Sequence, residues 1–168
     1  GNIEGFIYVA MNAFYQATLS FTSQNIGAKK YGRIKKILFC GEACVIVVGT
    51  TLGILAIIFG DTLLGIYSTS KEVIKAGIVR FNVICYTYAL CGMMDVIVGS
   101  LRGLGYSIMP MIVTLLGACG LRLLWIATVF QIPQLHKVTT IYFSYPISWA
   151  ITFLVHFCCF LWAMKKIK

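Results

Sequence analysis

Acidic residues are scarce: five of the 168 residues are Asp or Glu, and charged residues of both signs make up 11%. Soluble domains carry about 25%. A chain this short keeps much of its length at the surface, and so few charges leave that surface to apolar side chains, which argues against a water-solvated fold, a cytosolic enzyme or a disordered segment. Proline is rarer still, with three residues, and no Pro-, Gly- or Ser-rich linker and no internal repeat divides the chain. Seven cysteines are present, yet none forms a C-x-x-C pair and neither His136 nor His156 stands at ligand spacing, so a metal centre and a disulfide-stapled module are not indicated. A Gly-rich phosphate loop and a nucleophile–base pair are also missing, which leaves enzymatic chemistry without support.

Long apolar runs take the place of all these. Hydrophobic residues reach 60% and the mean hydropathy is +0.89. A transmembrane helix needs about 20 mostly apolar residues, and runs of that kind predict five helices over residues 3–26, 37–59, 76–100, 108–130 and 139–164. The fold class expected is an all-α membrane bundle, with a short surface helix as an option only in the connection 60–75. The net charge of +9 lies between the runs rather than along one stripe, which speaks for membrane topology and against nucleic acid. Lys29, Lys30, Arg33, Lys35, Lys36, Arg102, Lys165, Lys166 and Lys168 collect on one side and Lys71, Lys75, Arg80 and Lys137 on the other. The positive-inside rule then puts the first and third connections and the C-terminus in the cytoplasm. Gly1 falls outside, and with no signal peptide ahead of it the chain reads as a fragment.

Ionisable groups within apolar runs are costly and therefore informative. Asp95 and Glu42 lie about 8 Å inside the same side, where two facing carboxylates would hold a cation or share a proton. Glu42 has a plainer reading as the ion-pair partner of Lys35 or Lys36. For Asp95 an ion-coupling or substrate role stands beside a structural bond to a neighbouring helix. Arg122, about 20 Å from that side, is expected to satisfy helix carbonyls or a carboxylate, or to line a cavity. Asn12 and Gln16 share one face of the first helix with Tyr15 near it, a pattern that fits either a polar cavity or interhelical bonding. Gly99 and Gly103 stand four apart and let helices approach closely, Arg102 can anchor at headgroup phosphates, and Gly105 completes a turn. Asn25 and Gly27 are expected to end the first helix, with Gln24 satisfying freed backbone groups. Pro146 breaks the bond ladder of the last helix as a hinge or static kink, with Ser144 and Ser148 near enough to rescue freed carbonyls.

Three segments in order, Gln24-Asn-Ile-Gly-Ala-Lys-Lys-Tyr31, Gly99-Ser-Leu-Arg-Gly-Leu-Gly-Tyr-Ser-Ile-Met-Pro110 and Leu121-Arg-Leu-Leu-Trp125, give a chain that resembles the multidrug and toxic compound extrusion (MATE) transporters over nearly its whole length. The resemblance implies twelve helices in two six-helix lobes, of which these would be the last five. It implies antiport in the cell membrane: a cationic or amphipathic organic compound leaves as Na⁺ or H⁺ enters, with no other cofactor, while the lobes rock. The partners implied are such compounds, the lipid bilayer and the N-terminal lobe of the same protein. In Na⁺-coupled members an Asp on the tenth helix serves the cation site, and that position falls near Cys91, one turn from Asp95. A lipid-linked oligosaccharide flippase of the same superfamily is the alternative and would show a more cationic cavity. A non-transporting scaffold would pair off its buried polar groups and leave no cavity.

Overall fold

The computed structural model describes residues 2–60, 62, 65 and 71–167. Among them the chain is helix and turn, with no strand. Helices α1 (Asn2–Gly27), α2 (Gly32–Ile58) and α3 (Lys71–Gly103) are followed by α4 (Ile108–Thr114), a π-helical turn (Leu115–Gly120) and α5 (Leu121–Ala127), which together make one rod. Two short 3₁₀ turns lead into α6 (Val138–Ile167). Several helices outrun the apolar segments that predict them: α2 begins five residues before residue 37, and α3 spans 33 residues. Hydropathy marks the depth of hydrocarbon, whereas the backbone ladder continues into charged flanks such as Lys35 and Lys36. The helix considered for residues 60–75 lies mostly outside the described residues.

Three rods, Gly32–Ile58, Ile108–Gln131 and Val138–Ile167, are long and apolar enough to cross a membrane by length and composition. The other two of the five expected spans, α1 and α3, are long but more polar. The reason lies in where they sit. In its second half α3 buries Val96, Ile97, Val98 and Leu101 in succession, so protein rather than lipid surrounds it, and it packs against α1, α2 and α6. The periphery is apolar as well, with Phe6, Phe39, Val47, Leu123 and Leu154 exposed. An apolar periphery around a core that also buries Thr18, Thr22, Ser100 and Thr152 describes an all-α membrane protein, because hydrocarbon is the solvent.

Small residues bring the helices together. On α2 the buried positions Ile34, Leu38, Glu42, Val45, Gly49, Gly53 and Ala56 form one face at spacings of four, four and three. A Cβ on Gly49 would meet Ala89 and the Met11 sulfur at 3.2 Å, and one on Gly92 would meet that same sulfur at 2.8 Å. Fully buried Met11 therefore pins α1 to both neighbours. Lower down, Gly99 lies against the backbone of Tyr15, and Gly103 against Leu19 and Thr22. A bond between Thr22 Oγ1 and Ser100 Oγ (3.5 Å) and the Ser23 hydroxyl donating to the Gly103 carbonyl (3.5 Å) close this seam. Side-chain hydrogen bonds take over from hydrophobicity where lipid is the alternative environment.

Two helix ends share one geometry. After α1 the Lys30 amide donates to the Asn25 carbonyl and the Lys29 amide to the Ile26 carbonyl. After α3 the Tyr106 amide donates to Leu101 and the Gly105 amide to Arg102. Both are Schellman closures, which need a left-handed residue at the second-last position. Gly105 (φ 93°) fills it after α3, but after α1 it is Lys29 (φ 56°). Gly27 is the last helical residue, as expected, and the left-handed break follows two residues on, at Lys29. The α1–α2 turn, the end of α3 and the end of α6 lie at one end of the bundle, as the Ser23–Gly103 bond and the Tyr106–Trp162 ring contact (5.7 Å) require.

Candidate functional site

A cavity of about 610 Å³ opens between α1, α3 and the α4–π rod. From α1 come Tyr8, Asn12, Tyr15 and Gln16; from α3, Asp95, Val98 and Arg102; from the third rod, Met111, Thr114, Leu115 and Cys119. The helical repeat explains the first set, since positions 8, 12, 15 and 16 fall on one face of an α-helix. The same repeat puts Asp95, Val98 and Arg102 on one face of α3. Asp95 is half-buried, and its carboxylate makes no hydrogen bond or ion pair among the described residues. Arg102 turns inward, donating to the Tyr15 hydroxyl at 2.7 Å and lying 5.7 Å from that ring's centre. This bond ties the exposed Arg102 side chain to α1. An unpaired acid, one cation and a wall of neutral hydrogen-bonding groups make a site suited to a cation or a polar organic group.

The other ionisable residues lie elsewhere. Glu42 is buried on the α2 face, and neither carboxylate oxygen has a hydrogen-bond partner among the described residues. The ion pair with Lys35 or Lys36 is not formed, because both lysines point out while Glu42 points into the packing face. Glu42 also stays off the cavity lined by Asp95, so the two acids at one depth do not meet there. Arg122 lies outside this cavity as well. Among the described residues it binds neither a carbonyl nor a carboxylate: its Nε donates to Ser148 Oγ at 3.1 Å, and its guanidinium lies 4.1 Å from the centre of the Tyr145 ring and 5.6 Å from that of Trp149. Cation–π stacking on α6 replaces the ionic partner. Cys91, near which the resemblance implies the family's Asp, is buried in the core.

Around Pro146 the helix α6 is unbroken. Proline removes the amide that would bond the carbonyl of residue 142. Ser144 and Ser148 do not take its place, since they donate to the Ile141 (2.6 Å) and Tyr145 (2.9 Å) carbonyls. Gln24 bonds the Ser20 hydroxyl at 3.4 Å rather than a freed backbone group. Both histidines find partners: His136 Nδ1 lies 3.0 Å from the Phe130 carbonyl, and buried His156 pairs through Nε2 with Thr114 Oγ1 at 3.1 Å.

Sequence reasoning missed Tyr8, Thr114, Leu115 and Cys119. The last two lie in the π-helical turn, where one extra residue per turn widens the backbone. Its only sequence trace is the small-residue run Gly117-Ala-Cys-Gly120, and Gly117 lies so close to Thr152 that no side chain would fit between them.

The comparisons with known proteins follow the same outline. A family model described as MatE matches residues 1–128. The chain is 23% identical over 151 residues to the probable multidrug resistance protein YoeA of Bacillus subtilis (strain 168). That alignment covers 88% of this chain and 32% of the relative, so the chain spans about a third of the length of the curated relative it matches. No solved structure matches the chain.

Proposed function

We infer that this chain, which belongs to the MatE family of transporters, supplies most of one lobe of a secondary antiporter that exports cationic or amphipathic organic compounds in exchange for Na⁺ or H⁺. The name of the relative, a probable multidrug resistance protein, supports organic compounds as cargo. One observation carries the reading: the free carboxylate of Asp95 lines the α1–α3 cavity beside Asn12, Tyr15 and Gln16. An intramembrane acid that faces water and has no protein partner is available to an entering cation. Arg102 is occupied by Tyr15, so it does not neutralise the acid by direct contact. A scaffold would leave no cavity and would pair its polar groups, whereas Asp95 and Glu42 both stand unpaired among the described residues.

The basic end of the bundle, with the α1–α2 turn and Lys165 and Lys166, is the cytoplasmic side in this reading. The C-terminus then lies in the cytoplasm of a cell-membrane protein, and the N-terminal lobe closes the cavity from the other side as the lobes rock. Efflux of a fluorescent organic cation from vesicles containing the full-length protein tests this, with Na⁺ and pH gradients applied separately to wild type and Asp95→Asn. Gradient-driven efflux lost in a correctly folded variant is the expected result. Unchanged efflux removes Asp95 from the mechanism, and no efflux by wild type under either gradient transfers the reading to a lipid-linked oligosaccharide flippase.

A further inference from the structure

Two concavities outside the Asp95 cavity meet at the α1–α2 turn and share Arg33 and Lys36. The first is a groove of about 500 Å³ between α1 and α2, walled by Phe14, Thr18, Phe21, Cys40 and Cys44 and ending at Asn25, Arg33 and Lys36. The second is a shallow cup of about 540 Å³ at the turn itself, with Lys29, Lys30, Arg33 and Lys36 around its rim. From Arg33 to Cys44 the groove runs eleven residues along α2, or about 16 Å at 1.5 Å per residue. One leaflet of a bilayer offers about 15 Å of hydrocarbon, half of the roughly 30 Å core. The groove thus has the length and the apolar walls that suit a lipid tail, and it ends where headgroups lie.

Charge selects the kind of headgroup. No carboxylate occurs between Glu4 and Glu42, and none of the cup's four cations has an ion-pair partner among the described residues. The left-handed Lys29 folds the chain back so that Lys29 and Lys30 share the rim with Arg33 and Lys36 of the next helix. Four uncompensated cations above an apolar slot complement a single phosphate carrying acyl chains. We propose that this groove and cup form a binding site for one anionic diacyl phospholipid, with an acyl chain between α1 and α2 and the phosphate held by Lys29, Lys30, Arg33 and Lys36.

The test is native mass spectrometry of the full-length protein titrated with phosphatidylglycerol and phosphatidylcholine of identical acyl chains. Wild type should retain phosphatidylglycerol preferentially. The double variant Arg33→Gln/Lys36→Gln removes two charges near the headgroup and should weaken phosphatidylglycerol binding about thirtyfold, and phosphatidylcholine, whose choline offsets the phosphate charge, much less. Cys40→Trp fills the groove and should weaken both lipids alike. All three side chains are exposed, so a thermal midpoint equal to wild type marks each variant as folded. Equal retention of the two lipids by wild type, or undiminished preference in the double variant, overturns the proposal. So does glycerol phosphate binding as tightly as the intact lipid, which would leave a phosphate cup alone, and so does failure of a lipid-soluble maleimide to label Cys40, which would mean that another protein segment fills the groove.

Discussion

Replacing Gly99 by alanine isolates the contact that sets the distance between α1 and α3. The added Cβ would sit 2.6 Å from the carbonyl oxygen of Tyr15 and 3.2 Å from its Cδ2, where ordinary contact begins at 3.4 Å. The nearest obstacle is backbone, which no rotamer change relieves, so the two helices must part by roughly 0.8 Å at this level, an overpacking that typically costs about 1–3 kcal/mol. Alanine regains about 1 kcal/mol of helix propensity over glycine, which leaves a net loss of up to about 2 kcal/mol. Gly27→Ala provides the reference, because nothing lies within 4 Å of a Cβ at that position. Propensity alone acts there, and a gain of about 0.5–1 kcal/mol is expected. Reversible unfolding of the full-length protein in mixed micelles, followed by helical circular dichroism, would separate the variants by about 2 kcal/mol with opposite signs relative to wild type. Shifts of the same sign and size would refute the close approach.

Lys29→Gly should stabilise the protein by about 1 kcal/mol in the same unfolding assay, since glycine adopts the left-handed φ of 56° without the side-chain clash. Thr114→Val leaves His156 Nε2 buried without its partner and should cost about 1–3 kcal/mol; adding His156→Leu should recover most of the loss, and failure to recover would show that the pair is not what Thr114 supplies. Arg122→Lys keeps the charge but loses the planar stack on Tyr145 and the Nε bond to Ser148, and a loss of about 0.5–2 kcal/mol in unfolding free energy is expected.

What the sequence made legible is what hydropathy and spacing encode. The number of rods follows from the apolar runs, and the small residues Gly99 and Gly103 mark a face that approaches another helix. Asn12, Gln16 and Asp95 stand out because lipid penalises them. What stayed hidden is the rotation of one helix relative to another. Asp95 and Glu42 lie at one depth by arithmetic, yet α2 turns Glu42 into its packing face while α3 turns Asp95 into the cavity. Arg122 finds Ser148 across 26 residues of chain, and no spacing rule reaches that far. Lys29 occupies a position where glycine is usual, so the residue type pointed to Gly27 instead.

Tyr15 joins the packing seam to the cavity. Its carbonyl oxygen meets Gly99, its ring lines the cavity, and its hydroxyl accepts from Arg102. Asp95 lies one turn before Gly99 on α3, so the separation fixed at Gly99 also fixes how far the acid stands from Asn12 and Gln16 across the cavity. The seam is closely packed, since a Cβ added at Gly92, Gly99 or Gly103 would meet an atom at 2.6, 2.6 or 2.7 Å. The opposite wall differs in kind. Leu115 and Cys119 belong to the π-helical turn, whose wider backbone is less regular than an α-helix. Rigid glycine contacts on the α1–α3 side and an irregular turn on the other mean that a change in cavity shape is cheaper through the third rod than through the seam. Under the antiport proposed above, movement on cation arrival at Asp95 should therefore appear first in residues 115–120.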